Sequence, residues 1–182
     1  MRKLKPLEGL RPMNTSMLTR LFCLVLAVAL PLAGRASADV PAAVAAPGEA
    51  IVATFHAEGA QIYECRSNPG GKLMWQFREP VATLVFDGKT VGRHYAGPTW
   101  ELIDGSLVQG RVVGNAPGAT VDDIAWLKLE VAMRAGNGAL SHVTTIQRIN
   151  TDGGVAHGPC DKAGDFLSVP YHADYVFLRP AD

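Results

Sequence analysis

With 182 residues, the chain can bury a hydrophobic core without a metal or a dense disulfide frame. Its formal net charge of zero hides an uneven distribution: six of the 17 Lys/Arg but one of the 17 Asp/Glu fall in residues 1–38, leaving 11 basic and 16 acidic residues beyond them. That acidic remainder argues against nucleic acid, whose phosphates demand a basic face, and against anionic membrane surfaces; it points to neutral or cationic partners.

Residues 1–38 read as an export signal. Arg20 precedes an apolar run from Leu21 to Leu32, and Ala36-Ser37-Ala38 supplies a small-residue cleavage site. The run is well short of the roughly 20 residues that a membrane-spanning helix needs. Cleavage is expected after Ala38, and Met17 can serve as an alternative start, since Met17 to Ala38 alone is a normal signal length. The expected destination is secreted or periplasmic, with no membrane span in the exported part. Cys23 leaves with the signal, so Cys65 and Cys160 remain as an isolated pair. In an oxidising compartment such a pair reads as one disulfide. A bridge closing a loop of roughly 95 residues stabilises by about 4 to 5 kcal/mol on the chain-entropy model. The competing reading is a reactive thiol, but no Cys-x-x-Cys supports it.

Beyond Ala38 the chain reads as one domain. Residues 39–50 are Ala/Pro-rich, without periodicity, and are expected to form a flexible arm ahead of a single β domain at 51–182. Ile51 to His56 alternates as a strand does; Gly59 is expected to break it, and Gln61 to Cys65 to form a second strand. Trp75 to Arg78 alternates too, with Pro80 limiting it to an edge or bend. Ala82–Phe86 and Val91–Tyr95 flank the turn signal Asp87-Gly88. Asp104-Gly105 is a second such signal. Ile124–Arg134 fits both a helical stripe and a strand, and its strict alternation and the adjoining Gly136-Asn137-Gly138 favour the strand. Leu140–Ile149 reads as its hairpin partner. Tyr171 to Leu178 closes the series, with Tyr171, Ala173, Tyr175 and Phe177 on one face. Eight or nine short strands joined by Gly, Asp and Asn turns imply an all-β fold, either an antiparallel β-sandwich or a small β-barrel.

The densest chemistry lies in His94 to Ser106. If Gly97-Pro98 makes a two-residue return, Tyr95 faces Trp100 and His94 faces Glu101. An imidazole beside a carboxylate can act as an oriented base, giving a hydrolase or lyase with His94 and Glu101 as catalytic candidates, or can supply metal ligands. The alternative is a bend that fills a core edge. Tyr95, Trp100 and Arg148 are ligand-binding candidates: aromatics stack on sugars and small rings, and an arginine clamps a carboxylate. Against that, sheet aromatics commonly belong to the core, and Arg148 could pair with Glu101, Asp104 or Asp174. His56, His142, His157 and His172 are scattered, with no His-x-x-x-His spacing to mark metal ligands. Nucleophile-elbow, dinucleotide and phosphate-loop patterns are missing, so no cofactor is indicated.

Taken together, Gly59-Ala60-Gln61-Ile62-Tyr63-Glu64-Cys65, His94 to Glu101, Asp104-Gly105-Ser106, Ile146 to Gly154, Cys160 and Tyr171-His172-Ala173-Asp174-Tyr175 resemble domain of unknown function family 3455, small secreted proteins of bacteria and fungi. The resemblance spans nearly all of the exported part. It implies secretion and a shared fold and carries no activity. Ala125 stands before Trp126-Leu127 where the family usually has proline, and His172 stands where threonine is usual. Three functions compete: a cell-envelope module binding a small molecule or glycan, an interaction or inhibitor module docking on an envelope protein, and the His94–Glu101 enzyme.

Overall fold

The computed structural model describes residues 39–182. The expected export signal at 1–38 lies outside the described residues. Eight antiparallel strands, each hydrogen-bonded to the next in sequence, form one sheet that closes on itself. They are β1 (Glu49–Ser67), β2 (Leu73–Phe86), β3 (Lys89–Tyr95), β4 (Thr99–Leu102), β5 (Leu107–Ala116), β6 (Trp126–Ala135), β7 (Thr145–Gly153) and β8 (Phe166–Pro180). Of the two expected architectures, the barrel is the one formed. The segment that fits both periods, Ile124–Arg134, contributes strand β6.

Strict period-two patterning drives the closure. On β8, Tyr171, Ala173, Tyr175 and Phe177 are all buried, while His172 faces solvent. On β1, Phe55, Ala57, Gln61 and Cys65 point inward and His56 and Glu58 outward. Phe55, Ala57 and the four inward residues of β8 fill the barrel together with Leu84, Trp100, Val108, Leu129 and Ile146. An eight-stranded barrel has an interior just wide enough for its own side chains to fill.

Three sequence expectations need correction. Gly59 does not break a strand, because β1 runs unbroken for 19 residues. Gly59 pairs with Ala82, and a Cβ at this position would collide with the Val81 carbonyl. The glycine marks close strand approach rather than a turn. Leu140–Thr144 is not strand either: a tight turn buries Leu140 and Val143 as a plug, and β7 begins at Thr145.

The third correction concerns residues 39–50, which do not form a loose arm. Ala42–Val44 makes a 3-10 turn that inserts Val44, 0% exposed, against Ala116 and Trp126 on the outer wall. The Gln147 side-chain amide donates to the Val44 carbonyl (2.6 Å), and Lys128 Nζ donates to the Ala45 carbonyl (3.1 Å). These bonds hold a periodicity-free segment that local propensity alone would leave undefined.

Pro80 sits inside β2, opposite Gln61. β3 pairs with β2 only from Ala82 onward, so the missing Pro80 N–H falls where β2 has a partner on one side alone. Cys65 and Cys160 form the disulfide, with Cα atoms 5.8 Å apart. The bridge ties the end of β1 to the loop preceding β8. Backbone bonds from Cys65 N to Asp165 O (2.8 Å) and from Gly164 N to Cys65 O (2.9 Å) fasten the same corner.

Candidate functional site

The His94–Glu101 pair is not formed. The β3–β4 return has three residues, Ala96 to Pro98, so Tyr95 pairs with Thr99, His94 with Trp100 and Arg93 with Glu101. A slip of one residue moves a side chain to the opposite face of the sheet. Glu101 therefore stands on the outer wall. Arg93 Nη2 (2.8 Å) and the Tyr95 hydroxyl (2.9 Å) both donate to its Oε2. The Arg93 bond, followed by the Tyr95 bond, holds the Glu101 carboxyl below its ordinary range. The Arg93 guanidinium also lies over the Tyr95 ring, 5.1 Å from its centroid. Trp100 is 1% exposed and belongs to the core.

His94 points the other way, into the barrel. It is 2% exposed and stacks on Trp100 with centroids 4.4 Å apart. Its Nδ1 lies 2.8 Å from the Thr99 carbonyl oxygen. A carbonyl only accepts, so Nδ1 carries the proton and Nε2 keeps a bare lone pair. Burial lowers the imidazole pKa to about 3; the Thr99 bond opposes that fall and the Arg148 charge adds to it. His94 is thus a neutral acceptor at physiological pH, too weakly basic for a general base there.

His94 and Arg148 converge on a cavity of about 580 Å³. Its lining comes from one end of six strands and their connections, which makes it the mouth of the barrel. Gln61 and Tyr63 come from β1, Phe77 and Pro80 from β2, and Gly97 and Pro98 from the β3–β4 return. Val112, Ile124, Leu127 and Val155 complete a largely apolar wall. Barrel mouths of this size and character are common ligand sites. Gly154, at φ 94°, permits the narrow side: a Cβ there would press on Ile124, Tyr171 and Gln61.

The polar groups in this mouth are few and directed. Arg148 is half-buried, and its Nε and Nη2 both donate to the Ala125 carbonyl, at 3.0 and 2.8 Å. That double bond fixes the plane of the guanidinium. Among the described residues no carboxylate forms an ion pair with it, and the expected partners Glu101, Asp104 and Asp174 are all engaged elsewhere. Burial raises the pKa values of the Tyr63, Tyr171 and Tyr175 hydroxyls, and the Arg148 charge opposes the rise in all three. The cation therefore sits among them. Tyr63 donates to the Gly154 carbonyl (2.7 Å), and Gln61, 2% exposed, leaves Nε2 without a protein acceptor. The other charged lining residue, Arg78, is paired with Glu79 (3.0 Å), which leaves Arg148 as the uncompensated charge.

The mouth is therefore cationic although the described domain as a whole is acidic. Of the sequence-derived candidates, His94 and Arg148 line it, whereas Glu101, Tyr95 and Trp100 do not. Gln61 and Tyr63 were missed. Their signal was available: once β1 is read through Gly59, Gln61 becomes a polar residue at an inward position.

The fold is thus an eight-stranded antiparallel barrel with an open, largely apolar mouth into which Arg148 is set. The family model described as protein of unknown function, DUF3455, matches residues 46–89 and 85–179, and the chain belongs to this family. No curated protein and no solved structure matches the chain.

Proposed function

We propose that the protein is an exported binding module whose barrel mouth holds a small organic acid, an apolar body carrying one carboxylate. The observation that carries this reading is Arg148: a half-buried guanidinium, locked in orientation, with no carboxylate of its own in a cavity otherwise walled by apolar groups. A half-buried cation without a counter-charge is costly, and a planar carboxylate is its natural complement. Gln61, a further amide donor, lines the same cavity. His94 Nε2 offers an acceptor for a hydroxyl or amide elsewhere on the ligand. Export is supported by the basic start, apolar run and Ala36-Ser37-Ala38 of the sequence, and by a disulfide suited to an oxidising compartment.

This reading reverses the expectation of neutral or cationic partners drawn from net charge, because the relevant charge is local. It also leaves the hydrolase or lyase reading without its base-and-orienter pair. Thermal-shift and calorimetric titration with aromatic and branched aliphatic monocarboxylates, matched amides, amines and neutral sugars tests it. Monocarboxylates are expected to stabilise the protein, and Arg148→Met to lower their affinity at least about tenfold, as loss of a charged hydrogen bond does. Equal binding of the matched amides, or stabilisation by sugars or amines alone, refutes it.

A further inference from the structure

On the outer wall, away from the mouth, the β1–β8 pairing brings together residues from opposite ends of the domain. Glu58 pairs with His172, and His56 pairs with Asp174. One ligand atom from each of His56, Glu58 and His172 lies within 4.8 Å of the others. The two imidazoles are near-parallel, 13° apart in plane, with centroids 5.7 Å apart. We propose that His56, Glu58 and His172 form a binding site for one divalent transition-metal ion of the zinc type.

Exposed carboxylates alone gather without any ion, so the argument rests on the imidazoles and what orients them. His56 Nδ1 lies 2.9 Å from Asp174 Oδ1. The carboxylate accepts, so Nδ1 carries the proton and Nε2 presents its lone pair. Asp174 is itself held, because Asn150 Nδ2 donates to its other oxygen at 2.8 Å. A carboxylate that fixes a histidine tautomer from behind is the usual support of a metal-ligating imidazole. Two nitrogens and one carboxylate oxygen suit zinc, copper or nickel far better than magnesium or calcium.

The surroundings favour a cation. On the flanking strands, Glu58 meets Thr83, His56 meets Val85 and His172 meets Asp152, none of them basic. Metal–nitrogen bonds of about 2.0–2.1 Å require the three ligand atoms to close in. Exposed side chains do this by rotation, while the β1–β8 ladder keeps their backbones in register. Three protein ligands leave the remaining coordination positions to water or to a partner's side chain.

The test is calorimetric titration of ZnCl2 into the full-length protein, purified without a polyhistidine tag. Saturable uptake of one ion per chain is expected. His172→Thr, which suits an exposed strand position, and His56→Gln should each lower the affinity at least about tenfold, and Asp174→Asn by about tenfold or more through the orientation of His56. His142→Gln, at an exposed histidine elsewhere, should leave it unchanged. Circular dichroism confirms that each variant keeps the barrel. Absence of saturable uptake, or unaltered affinity in folded His172→Thr, overturns the site.

Discussion

The buried neutral state of His94 makes the domain lose stability in a defined pH window. In the folded protein the imidazole pKa lies at about 3, against 6.5 for the ordinary side chain. A depressed folded value means that the unfolded chain binds a proton the folded one refuses. The His94 contribution is therefore fully present above pH 6.5 and is lost as pH falls towards 3. At about 1.4 kcal/mol per pH unit, the fall from pH 7.5 to 5.0 removes about 2 kcal/mol. The carboxyls of Glu101, Asp104 and Asp123, all held low by hydrogen bonds, act in the same direction, but only below their ordinary values of 4.5 and 3.8. The window above pH 5 therefore separates the histidine from these three carboxyls, and the His94→Phe comparison separates it from the other histidines. Urea unfolding at pH 7.5 and 5.0 measures the loss, and His94→Phe, neutral in both states, should abolish most of it. Nuclear magnetic resonance of the His94 ring supplies an independent reading, with the neutral tautomer expected to persist at pH 5. A ring that protonates between pH 5 and 7, or a His94→Phe variant with an undiminished pH dependence, refutes the reasoning.

Other perturbations have equally definite outcomes. Cys65→Ser together with Cys160→Ser should cost about 2–5 kcal/mol in chemical denaturation, since the bridge spans a separation of 95 residues. Val44→Ala should cost about 1–3 kcal/mol and shift Trp126 fluorescence, because Val44 is buried in one apolar cluster with Ala116 and Trp126. Gly59→Val should be severely destabilising in a thermal melt, because the Val81 carbonyl occupies the space of any Cβ. Arg148→Met should leave the melting temperature of the ligand-free protein within a few degrees, since the loss of its bonds to the Ala125 carbonyl is offset by removal of an uncompensated half-buried charge.

Much of the sheet was legible because its code is local. Tyr171, Ala173, Tyr175 and Phe177 alternate within one strand, and all four are buried as that alternation demands. The disulfide was legible because the cysteines beyond residue 38 offer a single pairing. Register was not. Whether Gly97-Pro98 forms a two- or three-residue return decides the face of every side chain after it, and sequence alone leaves that open. The mouth was half legible: Arg148 and His94 stood out as polar groups among apolar neighbours, but their convergence depends on pairings across the ring. The histidine pair on the outer wall was illegible for the same reason, since His56 and His172 become neighbours only through the pairing of β1 with β8. The docking of residues 39–46 was hidden because tertiary bonds from Gln147 and Lys128, not periodicity, hold it.

The first strand of the domain bonds to the last along almost its whole length, from Glu49 against Pro180 to Glu64 against Phe166. Until β8 has emerged from the ribosome, the ring has no way to shut, and both β1 and β7 expose raw hydrogen-bonding edges. Assembly is thereby deferred to the end of synthesis and dominated by contacts distant in sequence, which makes it slow. Nothing in the early portion of the chain can complete the barrel ahead of β8.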